Sequence, residues 1–118
     1  GTRRSLLDSI CRSGLKTTYA LNGTDGMYGK GLYFTDSSCK AYQYAGLSGC
    51  ILVCRVVLGR MEVLQEEDGR RVFSTSGYDS CMAKSSYTRR RGASQVHNEF
   101  IVFQDEACYP EFVLHIDI

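Results

Sequence analysis

Cys50-Ile51-Leu52-Val53-Cys54-Arg55-Val56-Val57-Leu58 is the stretch on which the fold turns, and Arg55 is its one charged residue. Nearly continuous apolar character with several β-branched side chains, closed by Gly59, reads as a strand covered on both faces and central in a sheet. Such a strand needs neighbours, and the chain offers them on both sides. Downstream, Met61 to Leu64 reads as a short continuation of it. Glu99 to Phe103 and Glu111 to Ile116 are two further strands separated by Gln104 to Pro110, with Tyr109-Pro110 favouring extended backbone at the entry to the last one. Upstream, Gly31-Leu32-Tyr33-Phe34 is a short apolar strand. Thr35-Asp36-Ser37-Ser38 then supplies capping oxygens for a helix from Ser38 to Ala45, ended by Gly46. Another helix, Ser5 to Ser13, sets Leu6, Leu7 and Ile10 on one face and stops at Gly14. Few helices, at least four strands and long loops define an α+β fold with a sheet core.

Two segments lack periodicity. Leu15 to Gly31 is punctuated by glycines, which mark backbone that bends or approaches a ligand closely. Gln65 to Gln95 dissolves into charged and hydroxyl residues, and a loop of that length in a compact domain is usually functional or mobile. Within it, Tyr78-Asp79-Ser80-Cys81 reads as a short ordered turn.

The size, 118 residues with 43% apolar content, suits a single globular domain. Fourteen Lys plus Arg against thirteen Asp plus Glu leave a net charge of +1, which argues against sequence-blind nucleic-acid binding. The Arg89-Arg90-Arg91 run reads as a solvated loop. No apolar stretch is long enough for a membrane helix and no signal-peptide core is evident, so no membrane partner is expected. Six cysteines are scattered without a Cys-x-x-Cys pair, and neither His97 nor His115 stands in metal-ligand spacing. No metal is therefore expected, and the cysteines read as buried, reduced thiols of an intracellular protein, in nucleus or cytoplasm. Asn22-Gly23-Thr24 matches a glycosylation acceptor, but nothing else points to secretion.

Three features carry chemistry. Gly29-Lys30-Gly31 superficially resembles a phosphate loop, but Gly31 stands where magnesium binding requires Ser or Thr, which excludes that class. Glu99 opens an otherwise apolar strand. A glutamate there either faces water or, where a sheet opens into a cleft, stabilises a cation. Tyr28, Tyr33, Tyr42 and Tyr44 surround the Gly-rich loop and the following helix, as packing residues or as the walls of a ring-binding pocket.

Tyr28-Gly29-Lys30-Gly31-Leu32-Tyr33-Phe34, Ser38-Cys39-Lys40 with Tyr44, Cys54-Arg55-Val56-Val57-Leu58-Gly59, His97-Asn98-Glu99-Phe100-Ile101-Val102-Phe103 and Ala107-Cys108-Tyr109-Pro110-Glu111-Phe112 together resemble the catalytic domain of the poly(ADP-ribose) polymerase family. The motifs occur in order over essentially the whole chain. Gly1-Thr2 resembles the last two residues of the family's His-Gly-Thr/Ser motif, whose histidine would lie upstream. The resemblance implies an ADP-ribosyltransferase fold of mostly antiparallel sheets with short flanking helices, of which residues 1–118 would be the C-terminal two-thirds. It also implies NAD as substrate, nicotinamide as leaving group and a protein acceptor.

The implied site is specific. Gly1 would bind the nicotinamide carboxamide through its backbone, with Thr2 and Tyr28 also at the NAD cleft, and Tyr44 would stack on the nicotinamide ring. Tyr33 would be the tyrosine and Glu99 the glutamate of a His-Tyr-Glu triad. Glu99 would bond the nicotinamide ribose, and Lys40 would stand near that glutamate. A family serine that donates to the carboxamide is replaced by Ala41. Leu15 to Met27 would be the donor-side loop, and Gln65 to Gln95 would include the acceptor side. Glu99 is compatible with chain elongation, and mono- and poly-products both stay open. The alternative is a catalytically silent module of the same fold that binds NAD, ADP-ribose or a protein.

Overall fold

Residues 1–18, 27–47, 49–84 and 97–116 are described by the computed structural model of the chain. The Asn22–Thr24 and Arg89–Arg91 motifs, with much of the proposed donor-side loop, fall outside them. Helices α1 (Arg4–Ser13) and α2 (Ser38–Ala45) end where glycine permits a positive φ. Gly14, at φ 79°, donates its N–H to the Ile10 carbonyl at 2.7 Å, and Gly46, at φ 72°, donates to Tyr42 at 3.1 Å. Ile10 alone of the α1 apolar face is buried, and Leu6 is exposed. At the start of α2 the expected capping oxygen is displaced by two residues. Ser37 is the N-cap but makes no side-chain capping bond. Thr35 Oγ1 instead accepts the Ser37 N–H at 3.2 Å and donates to the Asn98 carbonyl at 2.8 Å, so the helix start is tied to the strand that carries Glu99.

The strands are β1 (Leu32–Phe34), β2 (Cys50–Val56), β3 (Met61–Val63), β4 (Ser80–Ala83), β5 (Glu99–Val102) and β6 (Cys108–His115). They form a four-stranded sheet in the order β1-β5-β4-β3 and a two-stranded ribbon of β2 with β6. All pairs are antiparallel except β3 with β4. The fold is α+β, with the mostly antiparallel sheets and short helices expected of it.

Four details differ from the sequence reading. First, among the described residues β2 is not central: it ends at Val56 and pairs along its length only with β6, while Thr2 forms an isolated bridge to Cys50. Val53 and Val57 are exposed as a result. Second, Met61–Val63 does not continue β2. Gly59 takes a positive φ of 55° beside Asp79 and turns the chain into the other sheet. Third, Ser80–Ala83 is a strand rather than a turn, held between β3 and β5 and almost wholly buried. Its small residues lack the β-branched signature, so its extended shape comes from pairing on both sides. Fourth, β6 begins at Cys108, after a 3₁₀ turn (Asp105–Ala107). Pro110 thus lies inside a strand, at the irregularity where Cys54 pairs with Pro110 and the register shifts, one of the few strand positions that tolerate a missing donor.

Alternation along paired strands fixes one face of the four-stranded sheet. Tyr33 pairs with Ile101, Ile101 with Cys81, and Ala83 with Glu99, so Tyr33, Glu99, Ile101, Cys81 and Ala83 share a face. Ile101, Cys81, Ala83 and Tyr28 form the buried core there, joined by Met27, Tyr33, Leu64 and Phe103. Of the six thiols, Cys50 and Cys81 are buried, Cys54 and Cys108 partly so, and Cys11 and Cys39 exposed; all six are free. The expectation of generally buried cysteines fails for the two helical ones, which lie on solvent-facing turns.

Candidate active site

Glu99 heads an inner strand, yet its carboxylate is one of the most enclosed polar groups in the molecule, 3% exposed. The water-facing reading is thereby excluded. A buried carboxylate requires compensation, and α2 supplies it: Lys40 Nζ stands 3.8 Å from Glu99 Oε1, with a fifth of its own side chain in solvent. One turn later on the same helix, the Tyr44 ring lies under that ammonium, 5.4 Å from the nitrogen to the ring centroid. The ring is 62% exposed and so open to a further stacking partner. Partial burial of its hydroxyl and the charge of Glu99 both raise the Tyr44 phenol above its ordinary pKa.

Tyr33 reaches the same place from β1. The register makes Tyr33 and Glu99 diagonal neighbours on one face, about 7–8 Å apart. The Tyr33 hydroxyl donates to the Gly29 carbonyl at 2.7 Å and accepts the Tyr28 N–H at 2.8 Å, closing a tight turn over residues 28–33. Burial pushes the Tyr33 phenol well above its ordinary value; the Tyr28 N–H lowers it part of the way back, and the Glu99 charge raises it again. The phenol therefore acts as a neutral donor.

Gly1 packs on the backbone of α2, so closely that a Cβ there would collide with the Ala41 carbonyl and the Ala45 nitrogen. The helix thus links Gly1 at one side to Glu99 at the other, through Ala41, Tyr44 and Lys40. The remaining two proposed NAD contacts are placed differently. Thr2 has both backbone groups engaged by Cys50, at 2.8 and 2.9 Å. Tyr28 is 5% exposed and belongs to the core, and its backbone N–H is given to the Tyr33 hydroxyl. Tyr33, Lys40, Tyr44 and Glu99 are brought together, with Gly1 against the same helix.

Sequence reasoning passed over three residues beside this group. Thr35 and Asn98 bind the exit of β1 to the residue preceding Glu99, and Asn98 Nδ2 also donates to Asp36 at 3.3 Å. Asn98, adjacent to the glutamate, was the one accessible signal. Arg71 lies in an unpatterned segment and gave none. Among the described residues no cluster of His, Cys, Asp or Glu is suited to a metal, and no helix is long and apolar enough to cross a membrane.

A carboxylate, a lysine and two tyrosines converging from two strands and a helix define a polar site on a small α+β scaffold. The model of the poly(ADP-ribose) polymerase catalytic domain matches residues 1–118. The chain belongs to that family. It is similar to poly(ADP-ribose) polymerase 2-A of Oryza sativa subsp. japonica, 29% identical over 122 aligned residues that cover 79% of this chain and 18% of the relative. The chain thus corresponds to less than a fifth of the length of that curated protein.

Proposed function

We propose that this chain carries the nicotinamide side of an NAD-dependent ADP-ribosyltransferase, which moves ADP-ribose to a protein acceptor and releases nicotinamide. The enclosed Glu99 carboxylate, flanked by Lys40 and set diagonally from Tyr33, is the observation that supports this reading most directly. Heterolysis of the bond between C1′ and nicotinamide sends the electron pair to the leaving nitrogen, neutralises its pyridinium charge and leaves positive charge on the ribose. A fixed carboxylate beside that sugar stabilises the transition state more than the ground state. The same group accepts a hydrogen bond from the ribose or from an acceptor hydroxyl, whose proton is lost as the new bond to C1′ forms. Tyr44 would hold the nicotinamide ring by stacking, an orientation effect. Lys40, 3.8 Å from the carboxylate, helps to keep it aimed.

The experiment is incubation of the full-length protein and its Glu99→Gln variant with labelled NAD, following protein-bound label and free nicotinamide. Loss of both products on the order of a hundredfold or more, with NAD affinity nearly retained, is the expected result. A second reading, a silent NAD- or ADP-ribose-binding module, is favoured by Ala41, which lacks the hydroxyl the family places there. Binding without turnover in the unmodified protein would select it. A ladder of product rather than one band would assign polymer formation.

A further inference from the structure

Arg71 stands on the connection 64–79 between the parallel strands β3 and β4, outside every element that carries the site. Its Nη1 reaches three side chains: Glu62 Oε1 at 3.0 Å, Thr75 Oγ1 at 2.9 Å and Cys81 Sγ at 3.6 Å. Glu62 and Cys81 are register partners on adjacent strands, so the guanidinium is anchored to the floor of the sheet. Both members of the ion pair are mostly enclosed, with side chains 18% and 19% exposed.

The backbone of the same residue holds the glycine-rich turn. The Arg71 carbonyl accepts the Lys30 N–H at 2.7 Å, and the Asp68 N–H donates to the Met27 carbonyl at 2.9 Å. Gly29, at φ 111°, lies flat against Arg71: a Cβ there would stand 2.6 Å from the Arg71 carbonyl oxygen and 2.8 Å from its Cβ. The carbonyl of Gly29 is the acceptor of the Tyr33 hydroxyl. A continuous run of contacts therefore leads from the sheet floor, through Arg71, to Gly29 and the phenol beside Glu99. Replacing a mostly enclosed ion pair by apolar residues of like volume is often neutral for stability. The planar fork of arginine instead fixes direction.

We infer that Arg71 is a positioning residue for Tyr33, pinning the turn at Gly29-Lys30 and so setting where the Tyr33 hydroxyl stands relative to Glu99. The proposal concerns geometry first; only its kinetic consequence rests on the transferase reading.

The test places 3-fluorotyrosine at position 33 of the full chain and reads its ¹⁹F resonance and titration in Arg71→Met, Arg71→Lys and, as a control on a remote exposed ion pair, Arg55→Met. Arg71→Met is expected to shift the resonance and move the titration as the turn loosens, Arg71→Lys to restore part of both, and Arg55→Met to change neither. In the transferase assay Arg71→Met should lower kcat on the order of tenfold with KM for NAD within about twofold, the signature of a misplaced group rather than of a lost binding contact. An unmoved Tyr33 resonance in a folded Arg71→Met protein would overturn the proposal. Should that variant not fold, Glu62→Gln, which removes the charge that anchors the guanidinium on β3, takes its place with the same readout, and an unmoved resonance there overturns it equally. Activity independent of Glu99 would sink the transferase reading while leaving the ¹⁹F result to decide the role of Arg71.

Discussion

The β2–β6 ribbon and the four-stranded sheet distribute apolar residues in opposite ways. β2 and β6 carry Val53, Tyr109, Phe112 and Leu114 in exposed positions, with Phe112 63% in solvent. β4 and β5, with a serine, two small residues and a glutamate among them, are almost wholly buried, and Ile101 is fully so. The difference lies in neighbours. An inner strand with the glycine-rich turn, α2 and the 64–79 connection around its site face is buried whatever its composition, while a two-stranded ribbon leaves one face open however apolar it is. The site follows the same rule: Glu99 is enclosed because β5 is an inner strand. Its burial then calls for compensation, to which Lys40 contributes.

The largest effect that sharpens this comparison is on stability. Ile101→Ala should cost about 2–5 kcal/mol in urea unfolding, as a core truncation does, and Val53→Ala on the open ribbon about 1 kcal/mol or less. Equal losses would break the comparison, and would mean that the ribbon face is covered in solution.

Lys40→Met comes next. It withdraws the cation nearest to an enclosed carboxylate and should destabilise the fold by about 1–2 kcal/mol, less than for a fully buried pair because Lys40 keeps contact with water. A thermal midpoint unchanged from the parent would place the carboxylate in water instead.

The smallest effect is chemical. Iodoacetamide at mild alkaline pH should modify Cys11 and Cys39 first and Cys50 and Cys81 last, read by mass spectrometry. Burial pushes the Cys108 thiol up to about 11 from an unfolded value of 9.0, helped by Cys54 and Asp105. The folded state then holds a proton that the unfolded state has lost, so this contribution to stability is complete below pH 9.0 and declines as pH rises toward about 11. Cys108 reacting as fast as Cys39 at mild alkaline pH would contradict the packing of the ribbon's inner face.

Much of the architecture was legible in local pattern. Gly14 and Gly46 end their helices because glycine takes a positive φ without steric cost, which turns the chain off the helical path. Leu32–Phe34, Glu99–Val102 and all of Cys50–Val56 lie where apolar runs stood. The Ser80–Ala83 strand was not legible, since four small or flexible residues carry no period. Nor was the assignment of Met61–Val63 to the other sheet, which depends on a turn at Gly59 that no hydropathy pattern records. In the site, Glu99 and Tyr33 stood out through neighbouring motifs. Tyr28 was set among the ligand contacts because it adjoins them in sequence, whereas its ring enters the core.

By itself the sequence determined the α+β class, the helix ends, the family and the residues whose chemistry suits the site, because these rest on local backbone preference and on motifs a few residues long. Only the tertiary structure decided which strand is inner, which carboxylate is enclosed and which cation answers it. Those depend on pairing between residues far apart in the chain, as Lys40 with Glu99 and Arg71 with Gly29 show, and no local pattern encodes the distance across a fold.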